Sequence, residues 1–214
     1  EWMNYTEFGE AVEKARGGLA AVGVEAGDRV AIIADNRVEW AVGAYATYTL
    51  GAAWVPMYEA QTQKDWAYIL KDSGSKVVFA ADDGIRAQVE EVQDELPELA
   101  TIVVIDDPAG GNAIDYLELL ARGAEHPAAA AAVEEEDLAG LIYTSGTTGN
   151  PKGVMLSHRN LASNVVGAAE VFPLEQDDRS ASFLPWARSF GQTVELPSIV
   201  YWGASTGLTA AHTL

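Results

Sequence analysis

The sequence predicts an α/β fold: repeated βαβ units forming largely parallel sheets covered by helices. Three observations carry that reading. Helix-spaced apolar residues alternate with short apolar runs along nearly all of the 214 residues. The short runs, such as 29–34 and 101–105, have almost no polar face, as strands buried on both sides require. Glycines such as Gly23 and Gly27 punctuate the boundaries.

The elements follow in order. Thr6 can cap a first helix whose apolar face is Phe8, Val12, Ala15, Leu19 and Val22. Residues 29–34 read as a strand and 36–50 as a helix, with Val38, Ala41, Tyr45 and Tyr48 inward. A strand is predicted over 53–56 and a helix over 62–72, with Trp66, Ile69 and Leu70 on one side. Strand 76–80, helix 85–96, strand 101–105, a turn over 108–112 and a short helix over 114–122 come next. Residues 123–137, with a run of five alanines at 128–132 and then Glu134, Glu135, Glu136 and Asp137, read as a surface connection, either solvated linker or surface helix. Beyond it lie an apolar strand over 138–143, a Gly/Thr/Ser loop and a helix over 157–171. Strand 180–184, helix 189–202 and strand 204–208 complete the chain, with right-handed crossovers expected.

Composition narrows the function. An apolar fraction of 49% with 21% charged residues fits a globular chain and argues against long disordered stretches. Thirty-two acids against 13 bases give a net charge of −19, which repels nucleic acid and anionic membranes. It also repels free nucleotide, so a phosphate site here must carry its own local positive potential. Cysteine is absent, which excludes disulfides, thiolate–zinc sites and a thiol nucleophile. His126, His158 and His212 are too far apart for a local helix metal site. The longest apolar stretch, 41–57, is interrupted by Gly43, Thr47, Thr49, Gly51 and Pro56, so no transmembrane segment is expected. No signal peptide is visible, residue 1 is Glu, and the chain reads as an internal piece of a longer, cytoplasmic protein.

The segment that carries chemistry is 141–158. A strand runs into a loop with glycines at 146, 149 and 153, which allow positive φ and close backbone approach to a ligand. Successive backbone N–H groups in such a loop form an anion nest, and Thr144, Ser145, Thr147 and Thr148 add hydroxyl donors. Lys152 supplies the charge that the acidic chain otherwise lacks. At an effective dielectric of about 20, a lysine–phosphate contact at about 4 Å is worth about 4 kcal/mol before desolvation. The carboxyl end of a parallel strand is also where α/β sheets bind ligands. The spacing is neither that of a Walker A loop nor that of a dinucleotide fingerprint. Composition by itself favours a plain Gly/Thr connection with an exposed lysine.

The ordered string Tyr-Thr-Ser-Gly-Thr-Thr-Gly-Asn-Pro-Lys-Gly-Val-Met-Leu-Ser-His, 143–158, closely resembles the signature of the AMP-forming adenylating enzymes. That superfamily includes acyl-CoA synthetases, luciferases and peptide-synthetase adenylation domains. Gly-Asp-Arg-Val-Ala-Ile at 27–32 and Leu-Gly-Ala-Ala-Trp-Val-Pro-Met at 50–57 resemble two further family segments. Ser-Phe-Leu-Pro-Trp-Ala-Arg-Ser-Phe at 182–190 is similar to the acyl-pocket motif of long-chain fatty acyl-CoA synthetases. The resemblance covers nearly the whole of 1–214, as part of the family's large N-terminal domain.

The resemblance implies an ATP-dependent ligase that joins a fatty acid to CoA through an acyl-adenylate. Thr144, Ser145, Gly146, Thr147, Thr148, Gly149 and Lys152 would hold the β- and γ-phosphates of ATP, with Thr144 near Mg²⁺ and Lys152 stabilising charge. Trp186, Arg188 and Phe190 would line the substrate pocket. Arg188 stands where the family motif usually carries histidine. The implied partners are small molecules (fatty acid, ATP, CoA), with no nucleic acid, while peripheral membrane contact stays open. Adenylation of an aryl or amino acid, or a non-catalytic nucleotide-binding role, are the alternatives.

Other candidates are weaker. Gly203-Ala204-Ser205-Thr206-Gly207 matches a nucleophile elbow, but only His212 follows it and no acid does. The Asp106-Asp107 pair and the 134–137 carboxylates lack calcium-loop glycines and read as solvated faces. Ser157 fits a helix cap, and the dipole of the helix opening at His158 could assist an anion at the loop.

Overall fold

In a computed structural model the described residues are 2–106, 110–144, 150–172 and 174–209. Helix α1 (Tyr5–Ala21) leads into strand β1 (Arg29–Ile33), α2 (Val38–Thr49), β2 (Ala53–Met57), α3 (Gln63–Ser73), β3 (Val77–Ala80), α4 (Asp83–Glu90) and β4 (Thr101–Val104). The short strand β5 (Ile114–Asp115) and α5 (Tyr116–Glu125) precede β6 (Leu138–Thr144), β7 (Lys152–Ser157), α6 (His158–Val171), β8 (Arg179–Ser182), α7 (Leu196–Trp202) and β9 (Ser205–Leu208).

Seven strands form one sheet in the order β5-β4-β3-β1-β2-β6-β7, and β8 and β9 form a separate parallel pair. The seven-stranded sheet is parallel except for β7, which returns antiparallel to β6. Strands β1, β2 and β3 are buried almost throughout, as expected of a sheet covered on both faces. Helices α1, α2 and α5 pack together, and α3 packs with α4. Right-handed crossovers place these two groups on opposite faces.

Two devices hold the layers. Gly123 of α5 sits against α1 so closely that a Cβ there would overlap the Lys14 carbonyl oxygen. An aromatic chain crosses the core: Trp40 meets Trp54 and Trp186 edge-on at 5.4 and 5.5 Å, and Trp54 reaches Phe79 at 6.1 Å. Residues 126–137 contain no helix or strand and run mostly exposed, tied down where Arg16 Nε donates to Ala128 O and Ala131 N to Thr49 O, both at 2.8 Å.

The parallel α/β expectation holds, with six corrections. The helix expected over 114–122 begins at Tyr116, because Ile114–Asp115 pair with β4 as a strand. The surface connection expected over 123–137 begins only at 126, because residues 123–125 complete α5 and Gly123 packs against α1. The first helix is capped by Asn4, not Thr6: the Asn4 side chain accepts from Glu7 N at 3.0 Å and Glu7 accepts from Asn4 N at 2.8 Å, a capping box that Thr6 followed by Gly9 cannot build. The helix expected over 85–96 stops at Glu90 and gives way to a 3₁₀ turn over Gln93–Glu95. The helix expected over 189–202 contains a π-helical turn, Gly191–Glu195, before α7. Pro197 lies in the first turn of α7 and has no N–H to continue a regular ladder. Strand β7 was hidden inside the loop signal, because an edge strand with Val154 and Met155 both exposed shows no alternation. The turn expected at 108–112 falls partly outside the described residues.

The glycines make a paired test. Gly9 in α1 has open space around it, so Gly9→Ala should stabilise by about 0.5–1 kcal/mol. Gly123→Ala should destabilise by roughly 1–3 kcal/mol through overpacking against α1. Urea midpoints of the two variants should move in opposite directions.

Candidate functional site

The parallel strands present their carboxyl ends along one edge, where ligands of α/β sheets bind. At that edge the hydrogen-bond ladder between β2 and β6 is interrupted. Ala53 N donates to Asp28 O at 2.8 Å, so in β2 the N–H groups of odd-numbered residues face β1 and those of even-numbered residues face β6. Pro56 therefore faces β6 without a donor. The next even residue, Tyr58, gives its N–H to Gln61 Oε1 at 2.8 Å instead. Trp54↔Gly140 is accordingly the single register pair between β2 and β6 among the described residues. Gly140 fits there because a Cβ would lie 2.9 Å from Trp54 O.

The sequence-predicted residues flank this seam. On one wall Thr144 ends β6, exposed, and is the register partner of Lys152, which begins β7. The hairpin thus closes the neck of the loop and sets the hydroxyl beside the ammonium group's strand. Ser145, Gly146, Thr147, Thr148 and Gly149 lie outside the described residues. Gly153 does not serve the loop by a positive φ, contrary to expectation. It lies in β7 opposite Tyr143, whose ring would meet a Cβ at 3.0 Å. Tyr143 in turn donates to Asp72 Oδ2 at 2.7 Å, locking the hairpin to the end of α3.

On the other wall stands Arg188. Its Nε donates to the Tyr58 hydroxyl at 2.6 Å and its guanidinium carbon lies 5.5 Å from the Tyr58 ring centre. Carrying the Trp54↔Gly140 register four residues further brings Tyr58 level with Thr144. Neither Tyr58 nor its neighbour Gln61 carried a sequence signal, because both act through contacts made only in the fold.

Electrostatics single out this end of the edge. Arg37, after β1, is engaged: Nε donates to Glu39 at 2.9 Å and Nη1 to Asp106 Oδ2 at 2.8 Å, with a second short bond to Asp106. This fork holds the Asp106 carboxyl below its ordinary value. Glu59 after β2 accepts from Asp35 N at 2.8 Å, and burial raises its carboxyl above its ordinary value. No ion pair engages Lys152 or Arg188 among the described residues. An anion is therefore favoured between these two and disfavoured nearer β3 and β4.

The segment 182–190 is held by Asn36, whose Nδ2 donates to Leu184 O and whose Oδ1 accepts from Trp186 N, both at 2.8 Å. Trp186 is 2% exposed and belongs to the aromatic core, with Nε1 donating to Ser182 Oγ at 3.0 Å and to Glu195 Oε2 at 3.3 Å. Its edge also reaches an apolar cavity of about 470 Å³ bounded by Tyr5, Phe8, Val38, Leu196 and Leu208. Phe190 is 56% exposed and, like Arg188, Thr144 and Lys152, is not part of that cavity.

Three further expectations resolve. The α6 N-terminus cannot assist the loop: Ser157 pairs with Leu138 at the far edge, five strand steps or about 17 Å from Lys152. His158 there packs edge-on against Tyr48 at 5.8 Å, and burial lowers its pKa. Ser205 lies in β9 opposite Arg179, not on a strand-to-helix elbow. Glu135 and Glu136 pair with Arg159, and among the described residues no group of His, Asp or Glu could hold a metal by itself.

The sequence model of the AMP-binding enzyme family matches residues 1–214. The chain belongs to this family. It is 36% identical over 202 residues to the long-chain-fatty-acid–CoA ligases FadD15 of Mycobacterium bovis and Mycobacterium tuberculosis, covering 91% of this chain and 34% of each relative. It thus spans about a third of the length of these curated relatives. Among solved structures, ATP-bound MatB from Rhodopseudomonas palustris shares 28% identity and a TM-score of 0.81, over 96% of this chain and 39% of that one. The anthranilate CoA ligase AuaEII in complex with anthranoyl-AMP shares 25% identity and a TM-score of 0.86, over 94% and 38%. These neighbours agree with the parallel sheet and its helical layers.

Glu195 in the π-helical turn gives a stability test. Burial holds its carboxyl above its ordinary value of 4.5, against the opposing bonds from Ser182 and Trp186. The folded state therefore binds the proton more tightly, and stability falls as pH rises from 4.5 through the raised value. Glu195→Gln keeps an acceptor and removes the charge. Its urea midpoint should match wild type below pH ~4 and exceed it at pH ~7.

Proposed function

We propose that the full-length protein to which these 214 residues belong activates a fatty acid with ATP and passes the acyl group to CoA, and that this piece by itself does not turn over. The carboxylate oxygen attacks the α-phosphorus, forming the acyl–phosphate bond as the α–β anhydride breaks and pyrophosphate leaves. The CoA thiol then displaces AMP to give the thioester. The observation that supports this most is a pair of cations, Lys152 and Arg188, that make no ion pair among the described residues and flank the interrupted β2–β6 ladder at the carboxyl edge of a parallel sheet.

In this reading the 144–152 hairpin cradles the β- and γ-phosphates through backbone N–H groups and the hydroxyls of Thr144, Ser145, Thr147 and Thr148. Gly146 and Gly149 let the backbone approach, and Lys152 balances the charge. The donor set fits: Thr144 is an exposed hydroxyl, whereas the described part of the site holds no carboxylate cluster to bind Mg²⁺ by itself. Mg²⁺ would be held chiefly by phosphate oxygens with Thr144 as a protein ligand. The protein's contribution is positioning and charge stabilisation. Trp186, through its edge, and Phe190 would shape the acyl side. Action in the cytoplasm, with contact at a membrane surface, belongs to the same reading. Among the described residues no helix is long and apolar enough to cross a membrane. An aryl carboxylate is the second reading, favoured by the similarity to AuaEII.

Carboxylate-dependent ATP–pyrophosphate exchange by the full-length protein, without CoA, tests this. Fatty acids should support exchange better than anthranilate; no exchange with any carboxylate would contradict the proposal. Lys152→Ala should weaken ATP use by roughly 10- to 100-fold, the worth of a charge-assisted contact, and change carboxylate KM far less.

A further inference from the structure

We propose that Tyr58 is a positioning residue that fixes the Arg188 guanidinium on the β2 wall, where its terminal nitrogens hold the carboxylate of the acyl substrate. This rests on the adenylation reading and assigns the second anion of that reaction to a second, separately built cation.

The geometry is specific. The Tyr58 side chain contacts the guanidinium twice, through the hydroxyl on Nε at 2.6 Å and through the ring face at 5.5 Å, which defines both its place and its plane. The segment carrying Arg188 is itself anchored, with Arg188 N donating to Pro185 O and Gln192 N to Arg188 O, each at 3.0 Å. Asn36 pins the same segment to the end of β1. With Nε occupied, the fork that remains is the pair of terminal nitrogens, whose spacing matches the two oxygens of a carboxylate.

The charge context points the same way. Arg37, Arg86, Arg122 and Arg159 each pair with a carboxylate, and Arg16 and Arg29 donate to backbone carbonyls. In a chain with 32 acidic residues, Arg188 has an aromatic hydroxyl for a partner and no carboxylate among the described residues. Tyrosine holds an arginine without neutralising it. A guanidinium ordered in advance also loses less freedom when the anion arrives. Lys152 lies beyond β6 on the hairpin, about two strand spacings or roughly 10 Å along the edge from Tyr58, which separates a phosphate locus from a carboxylate locus.

The test is a double-mutant cycle read by ATP–pyrophosphate exchange, with carboxylate and ATP KM measured separately. Tyr58→Phe keeps the ring face and removes only the acceptor. It should raise carboxylate KM roughly tenfold and leave ATP KM unchanged. Arg188→Ala should raise carboxylate KM further, and Tyr58→Phe should add nothing in that background. Arg188→Lys, which keeps the charge without the fork, should fall between wild type and Arg188→Ala. Multiplicative effects of Tyr58→Phe and Arg188→Ala, or a rise in ATP KM in place of carboxylate KM, would overturn the assignment. Absence of exchange in the unmodified full-length protein would instead remove the adenylation reading, and this assignment with it.

Discussion

A missing hydrogen-bond donor organises the site. Pro56 lies inside β2, a central strand, on the side that faces β6. Proline in such a place removes a ladder bond and is rarely tolerated there. Here the loss is localised, because Trp54 still registers with Gly140 and Tyr58 N is satisfied by Gln61. The two strands stay adjacent, but their ladder is interrupted toward the carboxyl ends.

Charge is distributed to match. A surface with a net charge of −19 is a poor host for a triphosphate, and five cations among the described residues, Arg37, Lys76, Arg86, Arg122 and Arg159, pair with the chain's own carboxylates. Lys152 sits on a hairpin whose partner strand offers Thr144, and Arg188 sits on Tyr58. Arg188 keeps its charge because its partner is a hydroxyl on an aromatic ring. Local potential in this protein follows from which cations are left unpaired, not from composition.

Sequence reasoning reached the parallel sheet because strands buried on both faces are apolar without alternation, as in β1 through β4. It singled out 143–158 because the ordered string, not its composition, matches a family signature, and the AMP-binding family model covers the whole chain. It missed β7, since an exposed edge strand such as 152–157 leaves no periodic trace. With β7 unseen, the start of α6 was placed beside the loop when it lies at the opposite edge. Gly153 was legible as a required glycine but not as a seat for the Tyr143 ring, and Pro56 was legible as a strand residue but not as the gap in a ladder. Tyr58, Asn36 and Glu195 matter through partners 130, 150 and nine residues away, separations that no local pattern encodes.

The most direct measurement is a crystal structure of the protein with Mg²⁺ and a non-hydrolysable ATP analogue. The account expects the β- and γ-phosphates at the neck of the β6–β7 hairpin, within hydrogen-bond reach of Lys152 Nζ and the Thr144 hydroxyl, with the α-phosphate over the β2–β6 seam. Phosphate density at any other edge of the sheet, with Lys152 free in solvent, would contradict it.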